Sequence, residues 1–175
     1  EKCKMERPFS TDTVENESDL YGRTDELEKT FYDICSLQNY FIYGQKRVGK
    51  TSFAKVVAQK LKQNNIFVNF ISLGEVNKLD STKFINSLGE KILFNFDDTT
   101  HIKINLEGNE FDGSLDYLIQ YFNDLKKSNE NNKYVIFIDE FDELPQDLIS
   151  NKNISDNFFH NLRALSFLKN VALVF

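Results

Sequence analysis

Residues 44–51 read Gly44-Gln45-Lys46-Arg47-Val48-Gly49-Lys50-Thr51. They match the pattern G-x-x-x-x-G-K-[ST] at every fixed position. A short apolar run, Tyr40-Phe41-Ile42-Tyr43, precedes them, and a helical pattern over residues 51–63 follows. A strand, a glycine-rich turn and a helix in this order direct backbone N–H groups and the positive end of a helix dipole at a phosphate. The motif therefore predicts a phosphate-binding loop, with Lys50 at the terminal phosphates and the Thr51 hydroxyl at Mg²⁺.

A second polar motif ends the strongest strand signal of the chain. The apolar run Tyr134-Val135-Ile136-Phe137-Ile138 is followed directly by Asp139 and Glu140. Ligands of open parallel sheets bind at the carboxyl ends of the strands, so this pair is expected to meet the phosphate loop. We predict that Asp139 holds Mg²⁺ through water and that Glu140 orients and deprotonates an attacking water.

The spacing of the two motifs fits one sheet. Lys50 and Asp139 are 139 − 50 = 89 residues apart, which leaves room for two strands and their crossovers. Asp142 and Glu143 extend the acidic run. The structural interpretation of these two residues is a solvated loop or helix start. The functional interpretation is a contact with Arg or Lys from another segment or a partner.

Apolar strands alternate with helical patterns along the remaining chain. Helices are predicted from Thr24, from Asp80 or Ser81, from Leu115, and around Phe158, Leu162 and Leu165; strands are predicted at 66–71 and 171–175, and a long polar connection at 97–114. Such alternation favours a parallel sheet covered on both faces. The fold class is therefore α/β, a three-layer αβα sandwich.

Composition excludes several function classes. Lys and Arg total 21 against 27 Asp and Glu, so the formal charge of −6 disfavours a nucleic-acid footprint spread over the whole domain. Cys3 and Cys35 are too few for a disulfide scaffold or a zinc site, and a reduced, cytoplasmic setting is expected. His101 and His160 have no partner at metal spacing. No apolar run approaches the roughly 18 residues of a membrane span.

These motifs carry a family resemblance. The phosphate loop with a paired Asp-Glu resembles the P-loop NTPases that insert an extra strand between the phosphate-loop strand and the acidic strand, and residues 171–175 would be that strand. Upstream, Tyr21-Gly22-Arg23-Thr24-Asp25-Glu26-Leu27 resembles the "GRxxEL" box of AAA+ and STAND ATPases. The phosphate loop itself is similar to those of archaeal and bacterial STAND-like ATPases.

The resemblance implies ATP or ADP with Mg²⁺ as ligands. Glu140 and Lys50 would be the catalytic residues, and Thr51 and Asp139 would hold the metal. Gly22 and Arg23 would lie near the base. The phosphates would be surrounded by Gly44, Gln45, Lys46, Arg47, Val48, Gly49, Lys50, Thr51 and Ser52.

The expected domain organisation is an irregular leader over residues 1–20 and a P-loop ATPase domain over residues 21–175. The family continues with a sensor residue, a fifth strand and a helical lid or winged-helix domain, so we interpret the chain as truncated before these parts. They are expected partners, as is a second copy in a homo-oligomer, and weak hydrolysis is expected of the fragment alone.

Three functions remain open at this point. The first is a nucleotide-dependent switch in a STAND-type signalling or defence protein. The second is an AAA+ loader or initiator module acting on DNA, which the acidic charge does not favour. The third is a nucleotide-binding scaffold without effective hydrolysis, against which Glu140 argues.

Overall fold

The computed structural model describes residues 22–45, 48–76, 79–100 and 115–175, and of residues 94, 95 and 97–100 it describes the backbone alone. The predicted leader, residues 1–20, and most of the predicted connection, residues 101–114, lie outside these ranges. The described elements are α1 (Thr24–Cys35), α2 (Lys50–Gln63), β1 (Phe67–Ser72), α3 (Ser81–Thr100), α4 (Asp116–Ser128), β2 (Tyr134–Asp139), α5 (Gln146–Ser150), α6 (Lys152–Ser166) and β3 (Val171–Val174).

The three strands form one parallel sheet in the order β1-β2-β3. The register aligns Ser72 with Asp139 and Phe137 with Val174, so the carboxyl ends of all three strands lie at the same edge. Tyr40 forms a parallel bridge to Val174 on the free side of β3. β3 thus lies between the acidic strand and the segment before the phosphate loop, which confirms its prediction as the inserted strand.

The prediction of a strand at residues 40–43 is wrong in its extent. Three backbone hydrogen bonds join this segment to the end of β3: Tyr40 N–H donates to the Leu173 carbonyl at 2.9 Å, Phe175 N–H to the Tyr40 carbonyl at 3.0 Å, and Ile42 N–H to the Phe175 carbonyl at 2.7 Å. Two of these hydrogen bonds are made by Phe175, just after the end of β3, and the segment forms only an isolated bridge between Tyr40 and Val174.

Helices cover both faces of the sheet, which confirms the three-layer sandwich. Val135 and Phe137 of β2 belong to one core with α1 and α2, whereas Tyr134, Ile136 and Ile138 belong to a second core with α3, α4 and α6. This alternation follows from the two-residue period of a strand. Each strand is therefore apolar on both faces, as its continuous apolar sequence predicts.

The second core is rich in aromatic side chains. Phe96, Phe122 and Tyr134 contact one another with ring centroids 5.5–5.6 Å apart, and each is fully buried. Edge-on aromatic pairs add about 0.5–1.5 kcal/mol each beyond the area they bury. The high Phe content of the chain is therefore used to pack the helices on the sheet that carries the site.

Two helices differ from the prediction, one in where it ends and one in its existence. The Asp80 carboxylate accepts a hydrogen bond from Lys83 N–H at 2.8 Å at the start of α3, as predicted, but α3 continues to Thr100 where a loop was expected from residue 97. Extending an existing helix adds one hydrogen bond per residue, so a helix can pass the end of its apolar stripe. The short α5 was not predicted because five residues show no periodicity.

Leu88→Ala tests the helix-to-sheet packing. Leu88 of α3 is 1% exposed, so its truncation is expected to lower the free energy of unfolding by about 2–5 kcal/mol. Leu79→Ala is the matched control, because Leu79 is 78% exposed and a surface change costs less than about 0.5 kcal/mol. Urea unfolding of both variants measures the difference, and equal stabilities would contradict this packing.

Candidate functional site

The turn between residue 43 and α2 depends on two glycines. Gly49 precedes α2 with φ +80°, a left-handed conformation that favours glycine. A Cβ atom on Gly44 would lie 2.8 Å from the Val48 Cγ2 atom, so the loop closes too tightly for a side chain there. The turn therefore aims the amino end of α2, with its partial positive charge, at the edge of the sheet.

Lys50 and Thr51 begin α2 and both line the cleft above the sheet. The Lys50 ammonium donates a hydrogen bond to the Gly44 carbonyl at 2.9 Å, so the cation is held at the first residue of the loop.

Asp139 and Glu140 follow directly at the end of β2. The Asp139 Oδ1 atom accepts a hydrogen bond from Glu140 N–H at 2.9 Å. Glu140 has φ +58° and ψ +42°, a left-handed conformation that is uncommon for a residue with a side chain. The chain therefore turns sharply between the two carboxylates, and both line the cleft.

The Glu140 side chain contacts the end of the neighbouring strand. Its Oε2 atom accepts hydrogen bonds from the Ser72 hydroxyl at 2.5 Å and from Gly74 N–H at 3.2 Å. Ser72 is the register partner of Asp139, so the sheet itself brings these groups together. Ser72 and Gly74 were not predicted from the sequence. The available signal was their position at the end of an apolar strand and just after it, as Asp139 and Glu140 are placed at the end of β2.

The phosphate loop and the acidic pair share one cleft of about 520 Å³. Its described lining holds four carboxylates against one ammonium: Asp139, Glu140, Asp142, Glu143 and Lys50. Apolar side chains form the rest of the wall, and they are Ile42, Ala54, Phe70, Phe137, Ile138, Phe141, Val174 and Phe175. The residues that sequence analysis singled out at two distant positions thus converge at the carboxyl edge of the sheet.

The other predicted site residues have different positions. Gln45 and Val48 are exposed on the loop, and Ser52 is half-buried in the first turn of α2. Lys46 and Arg47 lie outside the described residues.

Gly22 and Arg23 are not among the residues that line the cleft. The Arg23 guanidinium lies over the ring of buried Phe53 in α2, 4.2 Å from its centroid, and forms two hydrogen bonds of 2.8 Å with the Glu26 carboxylate. These hydrogen bonds lower the pKa of the Glu26 carboxyl group. Arg23 thus packs α1 against the helix of the phosphate loop, and its place near a base stays a prediction.

Among the described residues, no three His, Cys, Asp or Glu side chains gather into a metal-binding group. The oxygen donors of the cleft nevertheless suit Mg²⁺, which keeps several waters and takes one or two protein ligands. The Thr51 hydroxyl and the Asp139 carboxylate are of this kind, and both line the cleft.

A family model described as an ATPase domain predominantly from Archaea matches residues 11–175. No curated protein sequence matches the chain. Within the described ranges, no helix has both the length and the apolar character that crossing a bilayer requires.

Two solved structures share the fold. The Walker-type ATPase PABY2304 of Pyrococcus abyssi is similar with a TM-score of 0.59 and 17% identity, over 95% of this chain and 48% of that one. The ORC1 protein of Aeropyrum pernix, solved in complex with DNA, is similar with a TM-score of 0.54 and 17% identity, over 94% of this chain and 39% of that one. The chain thus spans less than half the length of either protein.

Gly74→Ala tests how Glu140 is held. An added Cβ would lie 2.5 Å from the Glu140 Oε2 atom, so the flexible carboxylate is expected to move away and lose its hydrogen bond to residue 74. Ser72→Ala is the control, because it removes one donor without a clash and leaves the Gly74 contact intact. Crystal structures of both variants measure the carboxylate position, and an unmoved carboxylate in Gly74→Ala would refute this account.

Proposed function

The chain belongs to the family of ATPase domains found predominantly in Archaea, and we propose that its cleft binds ATP or ADP with Mg²⁺ and hydrolyses ATP. One observation carries the proposal. Lys50 at the amino end of α2 and the Asp139–Glu140 pair at the end of β2 line the same cleft. A cation, a helix terminus and two carboxylates together provide what a phosphoryl-transfer site needs for binding and for water activation.

The phosphate groups bind at the loop. Backbone N–H groups of residues 44–52 donate to phosphate oxygens, and the helix dipole of α2 adds attraction at its amino end. Lys50 exchanges its hydrogen bond with the Gly44 carbonyl for contacts to the terminal phosphates. This exchange keeps the ammonium hydrogen-bonded both with and without nucleotide.

Thr51 and Asp139 are the proposed Mg²⁺ ligands. Bound Mg²⁺ supplies positive charge that neutralises the phosphates. The cleft needs that charge, because its described lining carries four carboxylates and a single ammonium, and a triphosphate adds further negative charge. Thr51 would offer a neutral oxygen from α2, and Asp139 would hold the ion through water with an anionic oxygen from β2.

Glu140 is the proposed general base. Its carboxylate lines the cleft beside Asp139, and the Ser72 hydroxyl and Gly74 N–H restrict its orientation. A held carboxylate can accept a proton from a water and align that water with the phosphorus atom, and positioning of this kind supplies most of the catalysis in phosphoryl transfer.

The finer role that we propose is a nucleotide-dependent switch of the STAND type within a longer protein. ATP and ADP would favour different arrangements of this domain and its neighbours, because a ligand shifts an equilibrium only through unequal affinity for the two states. The remaining part of such a protein and a second copy of the chain are the candidate partners. The chain's coverage of less than half of both similar structures is consistent with a module of a larger protein.

The second candidate is a loader or initiator module that acts on DNA. The structural similarity to a protein solved in complex with DNA favours it, and the net charge of −6 argues against DNA contact through this domain. Measuring the rate of ATP hydrolysis by the full-length protein with and without duplex DNA distinguishes the loader from the switch. Stimulation by DNA would support the loader, whereas an unchanged rate would support the switch.

Lys50→Ala is expected to weaken Mg-ATP binding at least tenfold, because a charge-assisted contact contributes about 1.5–3 kcal/mol. Isothermal titration calorimetry measures the affinity. Lys62→Ala removes the same charge from the exposed last turn of the same helix and should leave binding unchanged. Unchanged affinity in Lys50→Ala would reject the phosphate-loop role.

Glu140→Gln is expected to keep Mg-ATP affinity and to lower kcat by about 10²–10⁴-fold, the contribution typical of a general base. The amide retains the shape of the side chain but cannot accept the proton. Glu130→Gln makes the same change at an exposed loop position and serves as control. Steady-state hydrolysis by the full-length protein at the wild-type rate would remove Glu140 from the mechanism.

A further inference from the structure

Four aromatic rings connect the two halves of the cleft. The rings of Tyr43 and Phe41 stack at 6.0 Å, those of Phe41 and Phe175 stack at 5.0 Å, and Phe175 meets Phe141 edge-on at 4.8 Å. Tyr43 immediately precedes Gly44, and Phe141 immediately follows Glu140. These four rings form a row that runs from the start of the phosphate loop to the turn at Glu140.

Phe175 is attached to the phosphate-loop side through its backbone. Its N–H donates to the Tyr40 carbonyl at 3.0 Å, and its carbonyl accepts from Ile42 N–H at 2.7 Å. Both backbone groups of Phe175 are thus paired to the chain that leads into Gly44, which ties the position of its ring to that segment as well as to β3.

Phe141 connects the Phe175 ring to the acidic pair. Its ring contacts Phe175 on one side and Phe159 of α6 on the other, at 4.8 Å and 6.5 Å. Phe141 also begins a 3-10 turn that a hydrogen bond from Glu143 N–H to the Glu140 carbonyl closes at 2.8 Å. The two ring contacts therefore fix the turn that starts at Glu140.

The backbone of Glu140 needs such support. A left-handed conformation is unfavourable for a residue with a side chain and persists only where the surroundings impose it. Ser72 and Gly74 hold the end of the Glu140 side chain. Two hydrogen bonds hold its backbone, from Glu140 N–H to the Asp139 Oδ1 atom and from Glu143 N–H to the Glu140 carbonyl. The second of these closes the turn that carries the Phe141 ring, so the contacts of that ring add support to the turn.

We infer that Phe175 and Phe141 form an aromatic brace, a pair of positioning residues that sets the Glu140 carboxylate at its working distance from the phosphate loop. Both rings line the cleft and are only partly buried, so they lie outside the fully buried core that maintains the fold. The brace rests on the proposed role of Glu140 as general base. It adds that these two rings couple the position of residues 40–43, before the phosphate loop, to the position of the turn that begins at Glu140.

Removal of the Phe175 ring tests the brace in the full-length protein. Phe175→Leu and Phe175→Met keep an apolar side chain, and either one suffices if the other does not fold. We expect kcat for ATP hydrolysis to fall at least tenfold while the Kd for Mg-ATP stays within threefold, because Lys50 and the loop are intact. Phe175→Tyr retains the ring and should stay within threefold of the wild-type kcat. The matched control is Phe167→Leu, at a 71% exposed position outside the row.

A double-mutant cycle distinguishes the brace from independent effects on stability. If Phe175 acts through Phe141, the double variant Phe141→Leu/Phe175→Leu loses no more than about threefold in kcat beyond Phe141→Leu alone. Losses in kcat that multiply, or an unchanged kcat in Phe175→Leu and Phe175→Met, would overturn the brace.

Hydrogen exchange gives a readout that does not depend on activity. Amide exchange of the peptide around residues 139–143 is expected to speed up in Phe175→Leu and to stay unchanged in Phe167→Leu, because a loosened turn opens more often. ATP hydrolysis by the Glu140→Gln variant is measured in parallel. If that variant hydrolyses ATP normally, the proposed function fails. If it is impaired while the Phe175 variants hydrolyse normally and their exchange is unchanged, only the brace fails.

Discussion

Parallel pairing of β2 with a strand on each side is the constraint from which the site follows. The register aligns Ser72 with Asp139 on one flank and Phe137 with Val174 on the other, and Tyr40 bridges to Val174 beyond. Because all these chains run in the same direction, their carboxyl ends meet at one edge. The phosphate loop and the acidic pair are adjacent for this reason alone, although they are far apart along the chain.

Charge at that edge is arranged unevenly. The loop side contributes Lys50 and the amino end of α2, whereas the strand side contributes four carboxylates. An anionic ligand is attracted by the first side and repelled by the second, so a divalent cation between them resolves the conflict. The charges of the cleft thus give a physical reason for the Mg²⁺ site that we propose.

The turn after β2 combines a polar and an aromatic restraint on one residue. Hydrogen bonds from Ser72 and Gly74 hold the Glu140 carboxylate, and in our proposal the ring contacts of Phe141 support the turn that begins there. A carboxylate held at both its backbone and its side chain has few conformations to lose when it aligns a water. This restriction suits the role of general base that we propose for Glu140.

The sequence alone determined the fold class, the turn and helix that begin at Gly44 and the strand that ends in Asp139, because each is a local pattern of apolar period and turn chemistry. It also anticipated that β3 would be the inserted strand, on the strength of a family resemblance. Only the tertiary structure identified Ser72 and Gly74 as partners of Glu140 and brought Phe175 against Phe141, since these contacts join residues far apart in the chain. Such contacts follow from strand register and side-chain packing, and a periodic pattern encodes neither of them.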